Sequence, residues 1–307
     1  MRYIAEIIEK AVEKGRVVLA VAAAQEANVL EAVRDAYDKG IVQPILVGEP
    51  EAIKAAAREA RGGAGVDIAG FEVVPAADLA GAAATAVQLV KTGRADILMK
   101  GILDTSVLLK AVLNKEKGIN AGCLASHVAV MEVPTYHKLL VVTDAAINIA
   151  PDLPGFVDII GSAVRVSQSL GVEKPKVAFL AAVEKVNPDK MPCTVTASIL
   201  TQMNRRGQIR GCIVDGPLAL DNAVSRESAR IKHIDSEVAG DADILVAPDI
   251  QAGNILYKCL LDMAQAKGAA IVMGAEKPVV LTSRADSAET KLASIALASL
   301  VGRQACN

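Results

Sequence analysis

Ser283 and Arg284 stand side by side in TSRADSAETK, after the apolar run KPVVL and just ahead of a segment of helical period. A hydroxyl next to an always-ionised planar guanidinium, placed where a helix N-terminus offers free N–H groups and partial positive charge, makes a seat for a phosphate-like anion. The competing assignment for Arg284 is an ordinary surface ion pair. Downstream, Asp286 or Ser287 is the expected helix cap, and Asp286 with Glu289 has capping-box spacing.

Other loops carry similar chemistry. ADILMKGILDTSVLLKAVLNK places Lys100 at a strand end and Thr105 and Lys110 around the following helix, a weak phosphate signal when taken alone. KLLVVTDAAINIAPDL ends its strand on Thr143 and Asp144. GDADILVAPDIQAGNILYK supplies Asp249, Gly253 and Asn254, and Gly253 would let a ligand approach the backbone, unless Asn254 is simply a cap in a plain turn. Asp215 and Asp221 in VDGPLALDNAVS suit turn and cap positions equally. His127, His137 and His233 have neither metal nor triad spacing and read as incidental. No Walker A loop, no strand-following GxGxxG and no GxSxG occurs; RGGAGVDIAG follows a helix and reads as a turn.

These loops share one placement. Short apolar runs (RVVLAVA, QPILVG, FEVVP, DILMKG, KLLVVT, KVAFLA, GCIVDG, DILVAP, AAIVMG and KPVVL) alternate with segments of helical period such as ANVLEAVRDAYDKG and ADLAGAAATAVQLVKTG. That rhythm predicts an α/β protein with mostly parallel sheets covered by helices on both faces, with ligands at the carboxyl ends of the strands. No long linker divides the chain, and the repeated ADIL tetrapeptide is chance.

Bulk composition narrows the partners. Lys+Arg 33 against Asp+Glu 35 leaves no global field for nucleic acid or an anionic membrane. Three Phe, four Tyr and no Trp leave no stacking platform for bases. The five cysteines lack CxxC spacing and are expected to be buried or free thiols of a reducing cytoplasm, with no metal site. The N-terminal MRYIAEIIEKAVEKG is unlike a signal peptide, and no apolar run approaches the roughly 20 residues of a membrane span, so a cytoplasmic protein is expected.

In order along the chain, from about Ala95 to Ala298, ADILMKGILDTSVLLKAVL, VVTDAAINIAPDL, VDGPLALDNAVS, DADILVAPDIQAGNILYK and KPVVLTSRADSAETKLASIALA resemble the phosphate acetyl/butyryl transferase family, most closely its butyryl branch. The resemblance implies reversible acyl transfer between coenzyme A and inorganic phosphate, butanoyl favoured, with no metal, no tightly bound cofactor and no covalent acyl-enzyme. It implies a two-domain α/β/α sandwich similar to the isocitrate/isopropylmalate dehydrogenases, with the active site in the cleft, and a homo-oligomer. Residues 1–120 with 272–307 are expected as one discontinuous domain and 121–271 as the other.

Carried over by position, the family's Ser-Arg pair falls on Ser283 and Arg284, and its Asn-bearing turn on Asp249, Gly253 and Asn254. A basic residue after that turn falls on Lys258, and Lys110 stands where the family has an arginine, keeping the charge and losing the bidentate fork. The family's thiol-deprotonating carboxylate, seven residues after the serine, falls on Thr290, so Glu289, its neighbour about 100° round a helix, becomes the expected base. Lys100, Thr105, Thr143 and Asp144 complete the expected binding residues. Acyl-CoA and phosphate are thus the expected partners, with no nucleic acid and no membrane. The alternatives are acetyl specificity, a metal-dependent hydroxy-acid dehydrogenase using Asp215, Asp221 and Asp249, and a non-catalytic acyl-CoA-binding module; the intact Ser283–Arg284 pair in a chain standing alone disfavours the last.

Overall fold

VVLAVA becomes the strand Val17–Ala22 because β-branched side chains suit a pleated surface, and the burial of successive residues means that both of its faces are covered. The computed structural model describes residues 1–284 and 286–302. The chain divides into two compact units, one formed by Ala5–Cys123 with Ala269–Asn307 and the other by Met1–Ile4 with Leu124–Gly268.

In the discontinuous unit the strands lie in the order Glu72–Pro75, Val42–Gly48, Val17–Ala22, Ile97–Lys100, Val279–Val280 and Lys267–Met273. The first five are parallel and the last is antiparallel to its neighbour. Register sets Lys100 beside Ala22, and Val280 beside Met99. The loops leaving these three strands therefore emerge together at their carboxyl ends. The helix Ala288–Val301 packs on Ala27–Asp38, and its residues from Lys291 to Ser299 are all buried.

The other unit orders its strands Ser126–Glu132, Leu140–Thr143, Ile244–Val246, Lys176–Leu180 and Ile213–Leu218. All neighbours run parallel except the first pair. The strand Ser126–Glu132 is absent from the sequence-based expectation, although its residues from Ser126 to Met131 are buried.

Charge gathers at the amino ends of three of these parallel strands, opposite their carboxyl-end loops. Asp241 binds Lys176 Nζ at 2.6 Å, Lys138 Nζ at 3.2 Å and His137 Nε2 at 2.9 Å, while Lys138 also reaches Asp243 at 2.6 Å. Burial alone would raise the Asp241 pKa, but the two lysines and His137 outweigh it and hold this carboxyl far below the usual range. A depressed carboxylate contributes stability above its unfolded pKa of about 3.9 and loses it as pH falls toward the folded value. Asp241→Asn is therefore expected to lower stability by about 2 kcal/mol at neutral pH. The gap from the parent, followed by thermal unfolding, should shrink only below about pH 4; an unchanged gap in stronger acid would remove the ionic account.

Cys193, Cys212 and Cys259 are free thiols, and burial pushes the Cys212 pKa up to about 11. Cys123 is disulfide-bonded, which corrects the expectation that all the cysteines are thiols. Cys306 lies outside the described residues.

Candidate functional site

At the end of the strand Ile97–Lys100, Lys100 is buried and its ammonium donates to the carbonyls of Gly101 and Leu103, both at 3.2 Å. The loop it holds lies against the end of Val17–Ala22, with Gly101 N–H donating to Ala22 O at 2.8 Å and Ile102 N–H to Ala23 O at 3.0 Å. A Cβ on Gly101 would stand 2.0 Å from Ala23 O, so only glycine permits this approach.

The loop continues to Asp104, which flanks the helix Thr105–Val112 but forms no side-chain cap. Its carboxylate instead meets Arg284 Nη2 at 2.9 Å, and the same nitrogen donates to Ile102 O at 3.0 Å. Arg284 thus makes the surface ion pair that competed for it on sequence grounds, and that pair ties its turn to the Lys100 loop. Both side chains are more than half exposed, so the pair is of the kind worth little in stability and open to exchange for another anion.

On the Arg284 side, Ser283 N–H donates to Asp286 Oδ2 at 2.7 Å and Asp286 N–H to Ser283 O at 3.2 Å. Asp286 therefore closes the turn, and Ser287 is the cap, its hydroxyl accepting from Thr290 N–H at 3.2 Å. Glu289 lies in the first helical turn. Ala285 is outside the described residues.

Two participants escaped the sequence reading. Lys291, only 1% exposed, donates to Ser283 O at 3.3 Å and Asp286 O at 2.6 Å, and its ammonium lies 3.9 Å from the Glu26 carboxylate. Glu26 follows the strand Val17–Ala22, so its place in a carboxyl-end loop was a usable signal; a lysine inside an apolar helix offered none. Lys100, Arg284 and Lys291 now form a cationic group with Glu26 and Asp104 as near acids. Burial lowers the Lys100 pKa first of all; Glu26 opposes this, while repulsion from Arg284 and Lys291 adds to it. Such a group gains from an incoming dianion.

Thr105 is half-buried in the first turn of its helix, next to Asp104. Lys110 is exposed five residues further, about 7.5 Å along the axis, and forms no hydrogen bond or ion pair among the described residues. The structure ties it to the cationic group by no contact.

In the other unit the predicted polar residues bond largely to their own chain. Thr143 Oγ1 donates to His127 O at 2.8 Å. The Asp144 carboxylate accepts from Ala146 N–H at 2.9 Å, Ile147 N–H at 3.1 Å and Asn148 N–H at 3.1 Å, and from Asn148 Nδ2 at 2.6 Å. Asp249 caps the helix Ile250–Asp262 through Ala252 N–H at 2.9 Å, and Asn254 Nδ2 donates to Ala145 O at 2.9 Å. A Cβ on Gly253 would lie 2.2 Å from Asp144 O, so the close approach this glycine permits is made by its own chain. Lys258, exposed on that helix, has no such partner among the described residues.

Asp215 Oδ1 accepts from Gly216 N–H at 2.9 Å, Asp221 lies 3.5 Å from Lys232 Nζ, and Asp249 is the cap just described. Among the described residues no group of three or more His, Cys, Asp or Glu converges as a metal site. The three aspartates considered for a metal-dependent dehydrogenase are thus engaged separately.

The profile of the family described as phosphate acetyl/butaryl transferase matches residues 3–80 and 76–299. The phosphate butyryltransferase of Clostridium acetobutylicum is 49% identical over 296 residues, 96% of this chain and 97% of that protein. The phosphate acetyltransferase of Thermotoga maritima is 45% identical over 302 residues, 97% and 99% of the two chains. Among solved structures, a branched-chain phosphotransacylase from Enterococcus faecalis V583 superposes with a TM-score of 0.80 at 36% identity, covering 94% of this chain and 100% of that one.

Proposed function

Because the chain belongs to the phosphate acetyl/butaryl transferase family, we propose that it catalyses reversible transfer of a short acyl group, butanoyl favoured, between coenzyme A and inorganic phosphate. The observation that carries the site assignment is the gathering of Lys100, Arg284 and Lys291 about the turn that presents Ser283. Arg284 releases or shares Asp104 and binds phosphate with Lys100. A phosphate oxygen attacks the thioester carbon, Ser283 donates a hydrogen bond to the carbonyl oxygen as it gains charge, and the carbon–sulfur bond breaks to give acyl phosphate and the CoA thiolate. Positioning and a preorganised donor are the two sources of rate.

In reverse, Glu289 serves as the base for the thiol. Some thiolate forms unaided at a pKa of about 8.5, so the base is an aid worth about 10²–10⁴-fold at most. Thr105, Lys110, Thr143, Asp144, Asp249, Gly253, Asn254 and Lys258 are proposed to contribute to acyl-CoA and phosphate binding. For most of those in the second unit this means shaping loops, given their internal bonds. No resident metal or cofactor enters the reading, and coenzyme A enters as substrate.

The protein is proposed to work in the cytoplasm as a homo-oligomer, without nucleic acid or membrane; no helix among the described residues is long and apolar enough to cross a membrane. Ile255 at 69% and Met263 at 80% exposure leave apolar surface on and just after the helix Ile250–Asp262, which a second copy would cover. Light scattering that reads a monomer would remove that part.

Phosphate-dependent release of free thiol from acyl-CoAs of two to six carbons tests the reaction. Release is expected across the short members and greatest with butanoyl-CoA. A maximum at two carbons would move the reading to acetyl specificity, which the 45% identity to an acetyltransferase favours as runner-up. Calorimetric binding without release from any member would overturn catalysis.

A further inference from the structure

We infer that Lys291 is a positioning residue for the acyl-transfer site, its buried ammonium fixing the turn that carries Ser283 and Arg284. This rests on the function proposed above and adds to it a residue outside the Ser-Arg pair. The side chain belongs to the helix Ala288–Val301 and is 1% exposed. Its ammonium donates to Ser283 O and Asp286 O, carbonyls that bracket Arg284 on the chain. From the other side, the Asp286 carboxylate accepts the N–H of Ser283. The turn is therefore held through carbonyls by a cation and through an amide by an anion.

A lysine buried to this degree is costly to desolvate, and a hydrophobic side chain of the same volume is often as good for stability. One acid, Glu26 at 3.9 Å, stands beyond normal hydrogen-bond length. What the ammonium supplies that a methionine cannot is direction: two N–H bonds that fix two carbonyls, and so the angle at which Ser283 and Arg284 leave the strand end. It also adds positive potential beside Lys100. Neither action needs contact with the substrate.

Lys291→Met keeps length and volume while removing the donors. With butanoyl-CoA and phosphate as substrates, kcat is expected to fall about 10–100-fold, the scale of a misplaced reacting group. KM for phosphate is expected to rise, and KM for acyl-CoA to stay within about threefold. Because Lys291 acts through the turn that carries both Ser283 and Arg284, Arg284→Ala combined with Lys291→Met should lose less than the product of the two single losses, by more than about threefold. A lysine that only supports the fold would lower the folded fraction, giving losses that multiply and leaving both KM values unchanged.

Multiplying losses, or Lys291→Met within about threefold of the parent, overturns the inference while leaving the function standing. Arg284→Ala within about threefold of the parent would instead remove the site reading itself. Should Lys291→Met fail to fold by circular dichroism, Lys291→Leu, which likewise removes the donors, takes its place in the same cycle under the same criteria.

Discussion

Arg284→Ala is expected to lower turnover by about 10²–10³-fold, the range for losing one charge-stabilising donor at a reacting centre, with the fold retained. The stability part follows from the geometry: the Arg284–Asp104 pair is exposed on both sides, with side chains 60% and 75% accessible, so its removal costs little. The activity part follows from position. The guanidinium is held between the loop led by Lys100 and the turn led by Ser283, and it is the exposed member of a cationic group whose other two ammoniums bond to carbonyls. It is therefore the cation best able to exchange its carboxylate for a substrate oxygen. The loss should fall mainly on kcat and on KM for phosphate. Activity within about threefold of the parent, measured by phosphate-dependent thiol release, would return Arg284 to the role of a surface ion pair.

The tension between those two roles was already present in the sequence, and the structure shows why residue types alone could not resolve it. TSRADSAETK announces an anion seat and a helix cap, but which acid does which job depends on a turn only a few residues long. Asp286, with capping-box spacing to Glu289, instead accepts from Ser283 N–H, and Ser287 takes the cap. One residue of difference at a helix start decides this, and spacing rules do not resolve one residue.

The parallel strands were legible because each is a nearly unbroken apolar run, the signature of a strand covered on both faces. Ser126–Glu132 escaped because SHVAVME carries Ser, His and Glu among its apolar residues. Its assignment rests on antiparallel pairing with Leu140–Thr143, which is a contact between segments and not a property of either one. Lys291 escaped for a related reason: a lysine is by default a surface residue, and only the folding of the Ser283 turn over the start of its own helix makes burial possible. The part of the site that is a local motif can be read from sequence, and the part that holds the motif in place depends on contacts.

Gly253 joins both lessons, and Gly253→Ala is expected to act on stability before it acts on binding. Read from the sequence, this glycine in QAGN was a place for a ligand to approach the backbone. In the folded chain the space is already taken: an added Cβ would stand 2.2 Å from the Asp144 carbonyl oxygen and 3.1 Å from the Ala247 side chain. The first of these is a backbone atom, fixed by the turn that the Asp144 carboxylate organises and by Asn254 Nδ2 bonding to Ala145 O, so it cannot yield as a flexible side chain would. The helix Ile250–Asp262 must therefore back away from the Asp144 loop, and the bonds at Asp249 and Asn254 shift with it. Overpacking of this sort costs about 1–3 kcal/mol and more where backbone meets backbone, so a fall in Tm of about 2 °C or more is expected for the ligand-free protein. Loss of activity should follow the loss of folded protein and be partly recovered on cooling. An unchanged Tm with a raised KM for acyl-CoA would mean that the substrate, and not Asp144, occupies the space in front of this glycine.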